Sequence, residues 1–285
     1  MKVAVIGAGS MGTWFARLMK KLGEVTVSDI NRSTAESVAR ELNISASTLE
    51  KAVMKADVVL IAVPVSETPG MVKKVSGIVK KNPLIMDISS VKSEVVDTMK
   101  NMNVRAELAS IHPLFGPGAT TVDGKDFISV PVKTGKRYRG FIKFLRDNGA
   151  RITETNADEH DRVMSIIQSL THFTIMAYIA SMGSCKDFKK IGRMKTPLFT
   201  ELRELAKCML SANPEVYGEI QVHNIYSRMV RSRFLEACRA MDLAFSSGDS
   251  RCASDFMNNA KKLFSEKELK RSYTNLYRRF EGEKE

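Results

Sequence analysis

Apolar and polar positions along this chain change their period near residue 155. Before it, short apolar runs alternate with stretches of helical spacing. Lys2–Ile6, Val25–Ser28, Asp57–Val63, Leu84–Ile88, Leu108–Ile111, Phe127–Val132 and Ala150–Thr153 read as strands. Between them, Thr13–Leu22 repeats Trp14, Leu18 and Leu22 at spacings of four, and Ser33–Leu42 gathers Ala35, Val38, Ala39 and Leu42 on one side, as helices do. The run at 57–63 is apolar after its first residue, as expected of a parallel strand covered on both faces. From Asp158 onward the spacing is helical throughout. Val163, Ile166, Ile167 and Leu170 share one face, which Phe173, Met176, Ala177, Ile179 and Ala180 extend. Further helices are predicted near Leu198–Ser211, Val216–Ser246 and Asp255–Lys262, after a break holding Gly183, Lys186, Asp187, Lys189, Lys190 and Gly192. The predicted fold class is α/β: a doubly wound sheet over residues 1–155, then an all-α domain over 156–285.

Composition narrows the picture. At 285 residues and 44% hydrophobic content, two halves can each bury a core, and no further domain is expected. No linear apolar run approaches the roughly 20 residues that a membrane helix needs. Met1-Lys2 leads at once into a strand, unlike a secretory leader. Cys185, Cys208, Cys238 and Cys252 show no metal-type pairing and are expected to be buried, reduced thiols of a cytoplasmic protein. The net charge of +12 is spread over Lys133–Arg151, Lys186–Lys195 and Lys261–Arg279. In the last cluster it alternates with Leu263, Phe264, Leu269, Tyr273, Leu276 and Phe280, the pattern of the wet face of amphipathic helices. Such a charge draws anionic small molecules without implying nucleic-acid binding.

The chemistry starts at the first turn. Gly7-Ala8-Gly9-Ser10-Met11-Gly12 stands between a strand and a helix, where G-x-G-x-x-G is a dinucleotide fingerprint. Gly7 permits the tight turn, Gly9 admits a pyrophosphate against the backbone, and Gly12 lets helix and strand pack closely. Phosphates would rest on free N–H groups at the helix start, those of Ser10 and Met11 included. The half is therefore of Rossmann type. Asp29, at the end of the second strand, is placed to accept hydrogen bonds from the adenosine ribose and to repel a 2′-phosphate, which favours NAD over NADP. Arg32 is the competing detail, able instead to cradle that phosphate. Val63 and Pro64 leave the sheet at the edge where such folds place ligands.

Two further strands lead to that edge. Ser89 and Ser90 open the segment after the fourth long strand; they read either as helix caps or, for Ser90, as a hydrogen-bonding group beside the nicotinamide. Ile111-His112-Pro113-Leu114-Phe115-Gly116-Pro117 puts an imidazole in a turn stiffened by two prolines and a glycine. Removing hydride from a carbinol requires a partner for the hydroxyl proton, and an imidazole titrating near neutrality suits that role. His112 is expected where the two halves meet. His160 reads as a structural helix-start residue and His223 as a residue of a polar face. The 16 methionines read as adaptable packing.

These motifs together resemble the prephenate dehydrogenase (TyrA) family, from residue 2 to about 280. The likeness rests on the fingerprint, Asp87-Ile88-Ser89-Ser90-Val91-Lys92, the HPLFGP segment, Glu159-His160-Asp161, Gln168-Ser169-Leu170-Thr171-His172-Phe173, and Asn213-Pro214-Glu215-Val216-Tyr217. It implies oxidative decarboxylation of prephenate to 4-hydroxyphenylpyruvate in tyrosine biosynthesis, and a homodimer joined through the helical domain. It also implies that His112 takes the hydrogen bond and developing proton of the ring hydroxyl, that Ser90 orients that group, and that His172 shapes the substrate pocket. One position departs. The family carries an arginine for a substrate carboxylate six residues before the helix proline, and here that position is Cys208. Lys207 and Arg203 are the candidate replacements, or else two solvated surface charges. Arogenate or an amino-substituted analogue is the alternative substrate. Rival readings are a hydroxyacid or pyrroline-carboxylate type dehydrogenase and a nicotinamide-binding sensor without catalysis. No metal is expected.

Overall fold

A computed structural model describes residues 1–184 and 194–281. Cys185 and the predicted break residues Lys186, Asp187, Lys189, Lys190 and Gly192 lie outside the described residues. The chain divides into two compact units, one of Met1–Ser165 with Gly218–Ile225, the other of Ile166–Tyr217 with Tyr226–Glu285.

The first unit is built on one sheet. In chain order it contains β1 (Lys2–Ile6), α1 (Ser10–Met19), β2 (Glu24–Ser28), α2 (Arg32–Leu42), β3 (Ser45–Ala46), α3 (Leu49–Met54), β4 (Val58–Ile61), α4 (Thr68–Ile78), β5 (Leu84–Asp87), α5 (Ser93–Lys100), β6 (Glu107–Pro113), β7 (Asp126–Lys133), α6 (Lys136–Asp147), β8 (Arg151–Glu154) and α7 (Ala157–Met164). The sheet order is β3-β2-β1-β4-β5-β6-β7-β8. Strands β1 to β6 are parallel, whereas β7 pairs antiparallel to β6 and β8 follows β7. The Rossmann-type sheet expected from the strand–helix alternation is present, with a reversed pair added at one edge.

Alternation along each strand sends side chains to two separate cores. Val3 and Val5 of β1, Leu60 of β4, Met86 of β5 and Ile111 of β6 join Trp14, Phe15 and Phe141 on one face. Ala4 and Ile6, Val59 and Ile61, Ile85 and Leu108 join Val72, Val95, Val96 and Met99 on the other. Burying one such side chain contributes about 1.5–3 kcal/mol. Ser110 and His112 fall between the positions that Ala109 and Ile111 give to the first core.

The second unit contains α8 (Thr171–Gly183), α9 (Pro197–Ser211), the start of α10 (Pro214–His223), α11 (Ser227–Ser246), α12 (Arg251–Lys261) and α13 (Glu266–Glu281). Several expectations change here. A single helix was predicted over Val216–Ser246; Asn224–Tyr226 breaks it, and Asn224 instead turns its amide to the carbonyl oxygen of Asp161. A π-helical turn, Ser165–Leu170, joins α7 to α8. The apolar face read from the sequence is the open one: Ile166 is 58% and Ile167 53% exposed, while Asp161, Met164, Ser165 and Ser169 are buried. The joined helix, Ala157–Gly183, has 27 residues and contains an 18-residue stretch of mean hydropathy 1.4, by length and composition alone enough to cross a membrane. That corrects the expectation that no apolar run is long enough, because the polar residues interrupting this one (Ser165, Gln168, Ser169, Thr171, His172 and Thr174) carry no formal carboxylate, ammonium or guanidinium charge. The thiols also differ from expectation. Cys208 is exposed and Cys238 and Cys252 half-buried, since this unit buries few residues within one chain.

Candidate active site

The glycine loop closes against the backbone of its neighbour strand. Gly7 has φ +100°, and a side chain there would run into the Ala62 carbonyl; one at Gly12 would run into the carbonyl of Gly7. A side chain at Gly9 would meet nothing within 4 Å, so the space over this residue is open. Gly9 is the N-cap of α1 without a side-chain cap, and no acidic residue occupies the first turn. The N–H groups of Ser10, Met11 and Gly12 therefore have no acceptor within the helix, which is the arrangement a pyrophosphate requires. This cradle fits a dinucleotide. Val63 and Pro64 follow β4, whose Ile61 pairs with Ile6 of β1, so they leave the sheet beside the loop.

Asp29 does more than the sequence indicated. Its Oδ2 accepts the Ala8 N–H at 2.6 Å and its Oδ1 accepts the Asn31 N–H at 2.8 Å, so the carboxylate braces the glycine loop while ending β2. Arg32 is 91% exposed on its side chain and pairs with Glu36 at 2.8 Å, one turn along α2. Another carboxylate escaped the sequence reading. Glu219 of α10 accepts from the Val65 N–H at 2.6 Å and from the Ser66 N–H and Oγ, gripping the loop that follows Pro64.

His112 is a residue of β6, opposite Ile128 of β7, and the turn starts only at Leu114. The ladder carries the chain two residues past the predicted strand end, because Leu114 N–H still bonds to the Asp126 carbonyl. The loop beyond is pinned to α1: the Trp14 ring packs edge-on against Phe115 at 5.0 Å, and its Nε1–H donates to the Ala119 carbonyl at 2.5 Å. The imidazole is 2% exposed. Its Nδ1 lies 2.8 Å from Nε2 of His160, whose Nδ1 lies 2.7 Å from Asp161 Oδ1. Burial, with His160 and the Lys92 ammonium nearby, holds His112 well below an ordinary histidine's pKa. The group is thus a neutral acceptor at pH 7. The expectation of titration near neutrality is corrected, because a charged ring would be desolvated beside a cation.

Lys92 and Asp87 form a wholly buried pair at 3.3 Å, and Lys92 Nζ also donates to the Ile111 carbonyl at 2.9 Å, next to His112. Burial lowers the lysine pKa, opposed by Asp87 and Asp161. Neither serine of the DISSVK segment caps α5. Ser89 Oγ bonds to Asp87 and to the Val91 carbonyl, and α5 begins only at Ser93. The cap is Asp161, which accepts from the Lys92 and Ser93 N–H groups at 2.8 Å each. Ser90 is half-buried, follows β5 at the same sheet edge as His112, and its hydroxyl has no hydrogen bond among the described residues. His160, Asp161 and Lys92 had been visible only as members of motifs; nothing in their spacing showed that they meet.

The remaining candidates belong to the helical unit. His172 stands edge-on to Tyr217 with ring centroids 4.8 Å apart, and its Nδ1 is buried without a hydrogen bond. Arg203 and Lys207 line one cavity of about 200 Å³ with Ile179, Met182, Ala206 and Leu210. Lys207 is already paired with Glu204 at 2.6 Å. Arg203 has no ion pair among the described residues.

A family model described as "Prephenate dehydrogenase, nucleotide-binding domain" matches residues 15–153, and another, "Prephenate dehydrogenase, dimerization domain", matches 156–259. A probable arogenate/prephenate dehydrogenase of Methanocaldococcus jannaschii is 27% identical over 282 residues, 96% of this chain; the match spans 63% of that protein's length. A 4-amino-4-deoxyprephenate dehydrogenase of Streptomyces pristinaespiralis is 26% identical, covering 78% of this chain and 77% of its own. The crystal structure of prephenate dehydrogenase from Aquifex aeolicus, complexed with hydroxyphenyl propionate and NAD+, superposes with a TM-score of 0.72 at 20% identity, over 92% of this chain and 96% of that one.

Proposed function

The chain belongs to the prephenate dehydrogenase family, a family of oxidoreductases, and from that premise we propose that it oxidatively decarboxylates prephenate to 4-hydroxyphenylpyruvate. NAD, when bound, supplies the hydride acceptor. The observation that carries the reading is the neutral, buried His112 at the end of β6, on the same sheet edge as the glycine cradle. In the proposed reaction the ring hydroxyl gives its proton to His112 as the carbon-4 hydride leaves. The carboxylate on carbon 1 departs as CO2, its bonding pair completes the aromatic ring, and the proton returns to the oxygen. Aromatisation drives the step, so placement and charge are what the protein must provide. Ser90 holds the hydroxyl against His112, Asp29 takes the adenosine ribose, and Arg203, which has no ion pair among the described residues, takes a substrate carboxylate in place of the arginine missing at Cys208. Arg32, turned to Glu36, leaves Asp29 to set the preference for NAD over NADP.

Arogenate, or a 4-amino analogue, is the second reading, favoured by the cysteine at position 208 and by relatives named for those substrates. We further propose that two copies pair through the helical unit, whose exposed apolar residues include Ile166, Ile167, Leu243 and Phe245. Purified protein with NAD and either prephenate or arogenate, followed by absorbance of the reduced cofactor, tests the activity. Turnover with prephenate above arogenate is expected; the reverse ratio selects the second reading, and turnover with neither overturns both.

A further inference from the structure

Asp161 is acceptor-only when ionised, and four donors converge on it. Lys92 N–H and His160 Nδ1 address Oδ1, while Ser93 N–H and Ser93 Oγ–H address Oδ2, the last at 2.5 Å. These donors, two of them at the N-terminus of α5, outweigh the opposing effect of burial and hold the carboxyl below the ordinary range. His160 Nδ1 therefore carries a proton. Burial and the Lys92 ammonium keep the His160 ring from taking a second one, so its Nε2 presents a lone pair. That lone pair faces His112 Nδ1 at 2.8 Å, and two nitrogens at this distance require one hydrogen between them.

Resting on the proposed reaction, we infer that Asp161 and His160 are positioning residues that lock His112 in its Nδ1–H tautomer, making Nε2 the atom that receives the hydroxyl proton. Among the described residues the charged groups around the two rings include Asp87, Lys92 and Asp161, all buried. The lock starts at a fixed point, because Asp161 is tied to the backbone of α5 and, through its own carbonyl, to Asn224. When His112 Nε2 takes the proton, the new imidazolium has its Nδ1–H aimed at His160 Nε2, and His160 Nδ1–H at the carboxylate. Positive charge developing on the buried ring is thereby met by two aligned hydrogen bonds ending on an anion. When the proton returns to the phenolic oxygen, the chain of bonds is as it began.

The test is a tautomer measurement on the full chain with 15N-labelled histidine, assigned through His112→Asn and His160→Gln; only four histidines contribute. At pH 7.5 both His112 and His160 are expected to show protonated Nδ1 and bare Nε2. Protonated Nε2 on His112 overturns the inference. Kinetics provides a second readout. His160→Leu is expected to lower kcat about 10²-fold or more, in the direction that a wrong tautomer lowers triad enzymes, with the KM for NAD unchanged. His160→Gln, whose Oε1 can accept from Nδ1–H, is expected to restore at least tenfold of that loss, and equal losses in the two variants overturn the inference. If wild-type protein turns over neither prephenate nor arogenate, the proposed function fails, while the tautomer measurement still decides the lock on its own.

Discussion

At the scale of single residues, the sequence located chemistry better than it located partners. His112 was singled out because an imidazole follows a strand whose neighbours end in nucleotide-type signals. Its surroundings are drier than that reading assumed, and burial holds the ring's pKa well below an ordinary histidine's. His112→Asn is expected to cut turnover by about 10²–10⁴-fold, the span of general acid–base groups, with NAD affinity retained in a fluorescence titration. Unchanged turnover would remove the residue from the reaction. Asp29 braces the glycine loop, and we propose that it also meets the ribose. Asp29→Ala is expected to lower the preference for NAD over NADP, read as the ratio of kcat/KM values, and also to weaken both cofactors, because the Ala8 N–H loses its acceptor. Arg203→Ala is expected to raise substrate KM at least fivefold, whereas Lys207→Ala, whose charge Glu204 already neutralises, changes it less than twofold. The reverse order would give Lys207 the carboxylate.

At the scale of elements, the strands were legible and the junctions were not. A strand between two layers announces itself by an unbroken apolar run, as in β4 and in β5 up to Asp87. The π turn at Ser165–Leu170 leaves no such mark. Helical spacing separates the face of Val163, Ile166, Ile167 and Leu170 from the buried Asp161, Ser165 and Ser169, but the spacing does not say which of the two faces is covered. An apolar surface that wide on a single chain fits the proposed pairing of two copies. Ile166→Glu combined with Ile167→Glu is expected to shift the protein from dimer to monomer by light scattering, with its far-UV circular dichroism preserved. A dimer that survives both charges would place the interface elsewhere.

At the scale of the whole molecule, the buried titrating groups make stability depend on pH. His112 and His160 are held below the ordinary value in the folded chain, whereas unfolded histidines protonate near pH 6.5. Below that pH the unfolded state binds more protons than the folded one, so stability rises toward pH 7 and is lost as the solution is acidified. Asp161 adds a loss in the same direction at lower pH, since its folded pKa lies below its ordinary one. Urea unfolding midpoints are expected to fall between pH 7 and pH 5, and to fall less steeply in His112→Asn. A midpoint that rises on acidification would contradict the buried, neutral pair. Removing one partner of the Lys92–Asp87 pair is a larger perturbation, about 3–5 kcal/mol, because it strands a charge in the core.

The sequence by itself determined the class of the fold, the place of the glycine loop and the histidine we propose to react. Each of these depends on neighbours along the chain: glycines at fixed offsets, strands that are apolar throughout, one imidazole after one strand. The tertiary structure alone decided what His112 touches. His160 and Asp161 come from α7 and Lys92 from the segment between β5 and α5, joined across 69 residues by the hydrogen bond from Lys92 N–H to Asp161. Proton positions in a buried network follow from which donors and acceptors face one another, and facing is a property of the folded chain.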